Sequence, residues 1–302
     1  MSVYVSTTYF GDGSQVQDAL RDLEKLKIKN IELGSNHTSI KKNKQSFSAN
    51  KQSFSANKLD LKKNTKYIVH NYFPPEEKDF ILNIASTRSQ IKEKSVKFIK
   101  NTIIWCQKNN IKYYTIHPGF FAEAISPPGL RGKKRNFDLK FSKNSIKGKK
   151  RQNVIEEAIK VIKHLYDFTG NRIQLLIENQ GSKTSGNFTL FDSFPELTAL
   201  KKSVGRNLKF NFNLAHATLS GINIKNEKTF QFIYENSPFF EVSEIQGIYD
   251  SHLPLRLGNG RILILLKNFK DLFKKRNIIL EYRNIKGKEL LKSFGFINKL
   301  LA

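Results

Sequence analysis

Leu175-Leu176-Ile177-Glu178-Asn179-Gln180-Gly181 is the stretch that decides how this chain reads. Three apolar residues in a row have the bulk of a buried strand, and a carboxylate stands at its end, where the chain turns at Gly181. A buried carboxylate is costly unless it is paired or bound to a metal. Glu178 has company: His70, His117, His216, His252 and Glu281 also lie at or near the ends of short apolar runs. One polar group at a strand end means little. Six of them, each after a candidate strand, outline one ring of ligands.

Working outward from that strand, short apolar or alternating runs recur. They predict strands over 2–7, 28–33, 66–70, 112–116, 172–177, 208–212, 239–245 and 277–280. Between them the period turns helical. Val16, Leu20, Leu23 and Leu26 share one face, with Ser14 as a candidate N-cap. Helices are expected over 89–109, 153–168, 194–204, 262–275 and 290–301, with a helical remnant over 230–234. Strands alternating with helices imply a parallel sheet. Eight such units predict a single α/β domain over 1–302, a (β/α)8 TIM barrel. In that fold the C-terminal ends of the strands build the active site, which is where the ring of ligands falls.

Two stretches interrupt the alternation. Asn43-Lys44-Gln45-Ser46-Phe47-Ser48-Ala49 is repeated residue for residue as 50–56. This reads as a tandem duplication in a low-complexity loop, 41–58, inserted after the second strand. After the fourth strand, the stretch from Arg131 to Arg151 holds ten Lys or Arg and one acid, Asp138, and reads as a long basic loop.

Composition bounds the function. The chain has 302 residues, 39% of them hydrophobic, so it can bury a large core. A single cysteine, Cys106, excludes a disulfide framework and a thiolate-rich zinc site. Cys106 and Trp105 fall within a helix and read as packing residues. Met1 to Phe10 lacks the pattern of a signal peptide, and no apolar run reaches the roughly 20 residues of a membrane span. A cytoplasmic protein is expected. The net charge of +26 suits an anionic partner: nucleic acid, a sugar phosphate or a nucleotide sugar. The 41 Lys against 11 Arg equally suit compositional drift, because specific phosphate recognition favours Arg.

The strand-end motifs carry a resemblance. Val69-His70-Asn71-Tyr72-Phe73-Pro74-Pro75, Ile116-His117-Pro118-Gly119, Ile177-Glu178-Asn179, Asn213-Leu214-Ala215-His216-Ala217 and Asp250-Ser251-His252 occur in that order. The set resembles the xylose-isomerase-like barrel superfamily, which joins sugar isomerases and epimerases with the endonuclease IV type of apurinic-site nuclease. In the nuclease branch three zinc ions are held by such residues. The resemblance implies one metal on His70, His117 and a bridging Glu178, and another on His216, Asp250 and His252.

At the third position the chain departs from the pattern. The family usually has Asp where this chain has Asn213, and a His at the end of the seventh strand. Here that place falls on Glu241, with Ser243 and Glu244 as alternatives. The implied set is Glu178, Asn213, Glu241 and Glu281, an all-oxygen set that would favour Mn2+ or Mg2+ over Zn2+. The alternative is that this third site is dead.

In the epimerase branch this third site is the catalytic one, with Glu178 and Glu281 moving a proton on either side of a metal-bound sugar. Ile31-Glu32-Leu33-Gly34 resembles the sugar-isomerase branch, so a metal-dependent sugar or sugar-phosphate isomerase or epimerase is the first expectation. Asn179 and, in the basic loop, Arg131, Lys133, Lys134 and Arg135 are candidate substrate contacts. An apurinic-site nuclease is the alternative, and an inert barrel that binds metal or sugar is a third. His37 and His164 read as structural.

Overall fold

A computed structural model describes residues 1–34, 36–38, 59–76, 81–126, 140–181, 188–255 and 260–302. Eight parallel strands close into a barrel. In chain order they are Val3–Ser6, Asn30–Leu33, Lys66–Val69, Tyr113–Ile116, Gln174–Glu178, Lys209–Asn213, Phe239–Val242 and Asn277–Leu280. Each pairs with its sequence neighbours, and the first closes on the eighth through Val3↔Ile278, Tyr4↔Ile279 and Val5↔Leu280.

Side chains alternate along a strand, so each strand sends one set inward and one outward. The outward set, including Val3, Val5, Leu175, Ile177, Phe210, Phe212, Ile278 and Leu280, packs with the surrounding helices into one core. The inward set is separate. Tyr4, Ile68, Leu176, Phe239 and Ile279, with Tyr113 against them, fill the barrel floor. The Phe239 ring lies 5.5 Å from that of Tyr4 and 4.9 Å from that of Tyr113, edge-on to both. The barrel is therefore plugged, and anything that enters must do so from the carboxyl ends of the strands.

The helices follow their apolar faces. Ser89–Lys108 buries Phe98, Ile99, Ile103, Trp105 and Cys106, and the Trp105 ring lies 5.6 Å from that of Phe73, tilted by 48°. Phe194–Val204 starts on Ser193, whose Oγ accepts the Glu196 N–H. Gly287–Leu301 closes the barrel against the first strand.

Several details differ from the sequence reading. The helix expected over 262–275 divides at Phe269 into Arg261–Asn268 and Lys270–Phe273. Ser14 caps nothing: its hydroxyl donates to the Gly11 carbonyl at 2.7 Å, and the helix Val16–Lys25 starts after Gln15. The remnant near Phe230 is a full helix, Glu227–Asn236, because Asn226 Oδ1 accepts the Thr229 N–H at 3.0 Å. The seventh strand stops at Val242. Beyond it Glu244–Gln246 turns off to pair antiparallel with Tyr249–Leu253. Finally, the basic stretch is not all loop. Lys140–Phe141 pairs with Ala124–Ser126, and Arg151 opens the helix Arg151–Thr169, its Nε 2.8 Å from Glu196 Oε1.

Arg131, Lys133, Lys134 and Arg135 lie outside the described residues, as does the 41–58 repeat.

Candidate metal centre

Two residues above the apolar floor, the same inward direction carries polar groups. Ser6, His70, Glu178, Glu241 and Glu281 follow Tyr4, Ile68, Leu176, Phe239 and Ile279 at that spacing. Glu32 joins them from the second strand, where it pairs in register with Ser6 and Ile68. Asn211 and Asn213 join from the sixth. Nearly all of this layer is buried: Ser6, Glu32, Asn211, Asn213 and Glu241 are fully so.

Glu178 is the hub of this layer. Its Oε2 lies 2.8 Å from His70 Nε2 and 2.9 Å from His117 Nε2. Its Oε1 lies 3.0 Å from His216 Nδ1 and accepts Asn213 Nδ2–H at 3.2 Å. Burial alone would raise the carboxyl pKa. The charge on His117 and the hydrogen bonds from His117, His216 and His70 overcome it and hold Glu178 well below the usual range. Reciprocally, burial works against the His70 imidazolium, but the bond to Glu178 and the nearby carboxylates push it up to about 9.

Asp250 repeats the pattern on the hairpin. His216 Nε2 and His252 Nε2 each lie 3.0 Å from its Oδ2. The two imidazolium charges hold Asp250 well below the carboxylate range despite its burial. His252 Nδ1 lies 3.1 Å from Glu281 Oε2. The backbone at His252 is left-handed, with φ of 45°, and is fixed there by the Arg283 N–H donating to its carbonyl at 3.0 Å. Such backbone conformations at non-glycine residues concentrate at functional sites.

The supports are local. Gly181 runs so close to the neighbouring helix that a Cβ there would sit 2.0 Å from the His216 carbonyl oxygen, so no side chain fits. Asn179, a candidate substrate contact in the sequence, has both ends of its amide engaged. Its Oδ1 accepts the Asn213 N–H at 2.7 Å and its Nδ2 donates to the Asn213 carbonyl at 3.0 Å, strapping the fifth strand to the sixth.

The seventh-strand register falls on Glu241, which pairs with Asn213 and points inward. Glu244 serves a helix instead: its Oε1 accepts the N–H groups of Ile262 and Leu263 at 3.1 Å each, at the start of Arg261–Asn268. Burial, with the charges of Glu178, Glu281 and Glu32, holds Glu241 well above the carboxylate range.

Sequence reasoning missed Glu32 as a member of the layer. Burial raises it to about 7; the charge of His70 opposes this, and those of Glu281 and Glu178 add to it. An acid inside Ile31-Glu32-Leu33 was the available signal. His37 stands apart from the ring, with its Nδ1 3.0 Å from Ser14 Oγ. His164 is exposed on a helix beside Lys100.

The donors His70, His117 and Glu178 lie within 4.8 Å of one another, and so do His70, Glu241 and Glu281. Neutral imidazole with carboxylate is an ordinary donor set for zinc or manganese. A parallel barrel with this ring at its open end defines a class, and the comparisons agree. The chain belongs to the xylose isomerase-like TIM barrel family, whose sequence model matches residues 21–300.

Among curated proteins it is similar to the probable endonuclease 4 of Aquifex aeolicus (strain VF5), at 26% identity over 208 residues. That match covers 65% of this chain and 63% of the relative's length. Among solved structures it is similar to a D-tagatose 3-epimerase-like protein, at a TM-score of 0.66 and 16% identity over 100% of both chains. It is also similar to endonuclease IV from Thermus thermophilus, at a TM-score of 0.57 and 15% identity, over 100% of this chain and 99% of that one. These structures share the fold. Among the described residues, no helix is long and apolar enough to cross a membrane.

Proposed function

We propose that this chain is a metal-dependent hydrolase of phosphodiesters that carries divalent ions on two flanking triads, His70–His117–Glu178 and His216–Asp250–His252. One observation supports it above the rest: two carboxylate oxygens, Glu178 Oε2 and Asp250 Oδ2, are each met by two imidazole nitrogens at 2.8–3.0 Å. Divalent ions so held supply charge neutralisation for a phosphodiester and a water of lowered pKa.

The chain's own residues do the rest. His216 Nδ1–H donates to the Asn179 carbonyl at 2.9 Å and lies 3.0 Å from the second oxygen of Glu178, which leaves Nε2 for the ion. Glu281 orients His252 through Nδ1, which leaves Nε2 for the ion. The floor excludes water from below, and the net charge of +26 favours a polyanionic substrate. The similarity to a probable endonuclease 4 points to nucleic acid as that polyanion.

A second reading, a metal-dependent sugar or sugar-phosphate isomerase or epimerase, is favoured by the retention of Glu178 and Glu281 on either side of Glu241.

The test is cleavage of a duplex carrying one abasic site, with and without chelator. Chelator-sensitive cleavage that falls about 10²–10⁴-fold in Asp250→Asn, equal to roughly 3–5 kcal/mol of barrier, is the expected result. No cleavage, together with metal-dependent exchange of a sugar C–H proton into deuterated water, would replace the first reading by the second.

A further inference from the structure

The sequence resemblance implies a central metal position on Glu178, Asn213, Glu241 and Glu281. The residues present do not fit it, and the reason is the orientation of one amide. Asn213 is the N-cap of Leu214–Ser220, and its Oδ1 accepts the His216 N–H at 3.1 Å. That bond turns Nδ2 inward, where it donates to Glu178 Oε1 at 3.2 Å and to Glu241 Oε2 at 3.0 Å.

The reverse orientation would set Oδ1 against the Glu178 carboxylate and the NH2 against the His216 N–H, two repulsive contacts in a fully buried place. The backbone cannot swing away either, because Asn179 grips both its N–H and its carbonyl. An amide NH2 has no lone pair to give a metal. The other oxygen of Glu241 is also engaged, by Asn211 Nδ2, which is itself 3.1 Å from Thr115 Oγ1.

We infer that Asn213 and Glu241 act as a pair that closes the central position with a hydrogen-bonded cross-link, so that the chain loads at most two divalent ions. The two departures from the family pattern explain each other. The amide donor introduced by Asn213 needs a carboxyl acceptor, and Glu241 is that acceptor. A neutral NH2 shared between the Glu178 carboxylate and the Glu241 carboxyl does there the joining that a cation would otherwise do. The remaining acids do not restore a third ion. His70, Glu241 and Glu281 converge, but His70 Nε2 lies 2.8 Å from Glu178 and 3.9 Å from Glu241, and one nitrogen serves one ion.

The experiment is a metal count by elemental mass spectrometry, after saturation with zinc and dialysis, on wild type and Asn213→Asp. Aspartate keeps an oxygen for the His216 N–H and turns a second oxygen inward. One additional equivalent per chain in Asn213→Asp is expected, with a larger rise of the melting temperature on adding zinc than wild type shows. Asn213→Asp adds a further buried carboxylate, so Asn213→Asp/Glu241→His is measured beside it and is expected to gain the same equivalent.

Wild type that loads three ions, or folded variants of both kinds that load no more than wild type, would overturn the inference. The expected gain is a difference between proteins. It is therefore separable from the hydrolase reading, which fails on wild type alone if that protein holds no ion and cleaves nothing.

Discussion

The barrel interior holds two adjacent layers built on the same strands and facing the same way. Ile68, Leu176, Phe239 and Ile279 form the lower one; His70, Glu178, Glu241 and Glu281, each two residues further on, belong to the upper. The step is about 6.6 Å along a strand. Below it the interior is closely packed hydrocarbon and aromatic ring. Above it, titratable side chains are crowded into a space as well buried as the floor. The contrast shows how a barrel divides its labour. The floor fixes strand positions without polar commitments, and its low dielectric is what makes the charges above it so sensitive to one another. In the upper layer imidazole, amide and carboxylate are matched around Glu178, whereas both carboxyl oxygens of Glu32 are buried without a hydrogen-bond partner among the described residues.

If this division holds, changes in the two layers fail in different ways. Phe239→Ala removes a ring wedged between Tyr4 and Tyr113 and is expected to cost about 3–5 kcal/mol in denaturant unfolding, the same at every pH. A cost below about 1 kcal/mol would mean that the floor is not what sets the strands.

Glu32→Gln tests the upper layer. The folded chain holds the Glu32 proton up to about 7, against 4.5 ordinarily. Stability that this proton contributes is complete below pH 4.5 and is lost as pH rises through about 7. The difference corresponds to roughly 3 kcal/mol. Metal-free Glu32→Gln should therefore match wild type near pH 4 and exceed it by about that amount at pH 8. Superimposable stability curves from pH 4 to 8 would count against this account of the layer.

The smallest effect is expected at Glu244, whose carboxylate holds the first N–H groups of Arg261–Asn268. Glu244→Ala should cost about 0.5–2 kcal/mol and leave the metal count unchanged. A lost ion would place Glu244 in the ligand set and contradict its assignment as a helix cap.

Much of this was legible in the sequence. Leu175-Leu176-Ile177 reads as a strand because both its faces are buried, one by helices and one by the barrel interior, so apolar residues run on without alternation. The ring of His70, His117, Glu178, His216, His252 and Glu281 was legible because polar residues at or near the ends of such runs gather at one end of a parallel barrel, whereas Asp250, on the hairpin Tyr249–Leu253, was implied only by the family resemblance.

What lay beyond the sequence was orientation. Asn213 reads as a poor copy of a carboxylate ligand until the short helix behind it shows which way its amide turns, and seven residues are too few to announce that helix by period. Glu241 and Glu244 were not told apart because the sequence does not mark where the seventh strand ends: it stops at Val242, and Glu244 already belongs to the hairpin that leaves the barrel. Glu32 was read only as part of the Ile31-Glu32-Leu33-Gly34 resemblance and not placed in the ring, because nothing in three residues of strand tells a carboxylate's facing; the register with Ser6 and Ile68 does.

The most direct test of the account is where metal scatters. A crystal of the wild-type chain soaked in zinc, with anomalous data collected above the zinc edge, should show two peaks. One is expected among His70, His117 and Glu178, the other among His216, Asp250 and His252, with none beside Asn213. A strong peak enclosed by Glu178, Asn213, Glu241 and Glu281, or empty density at both flanking triads, would contradict it.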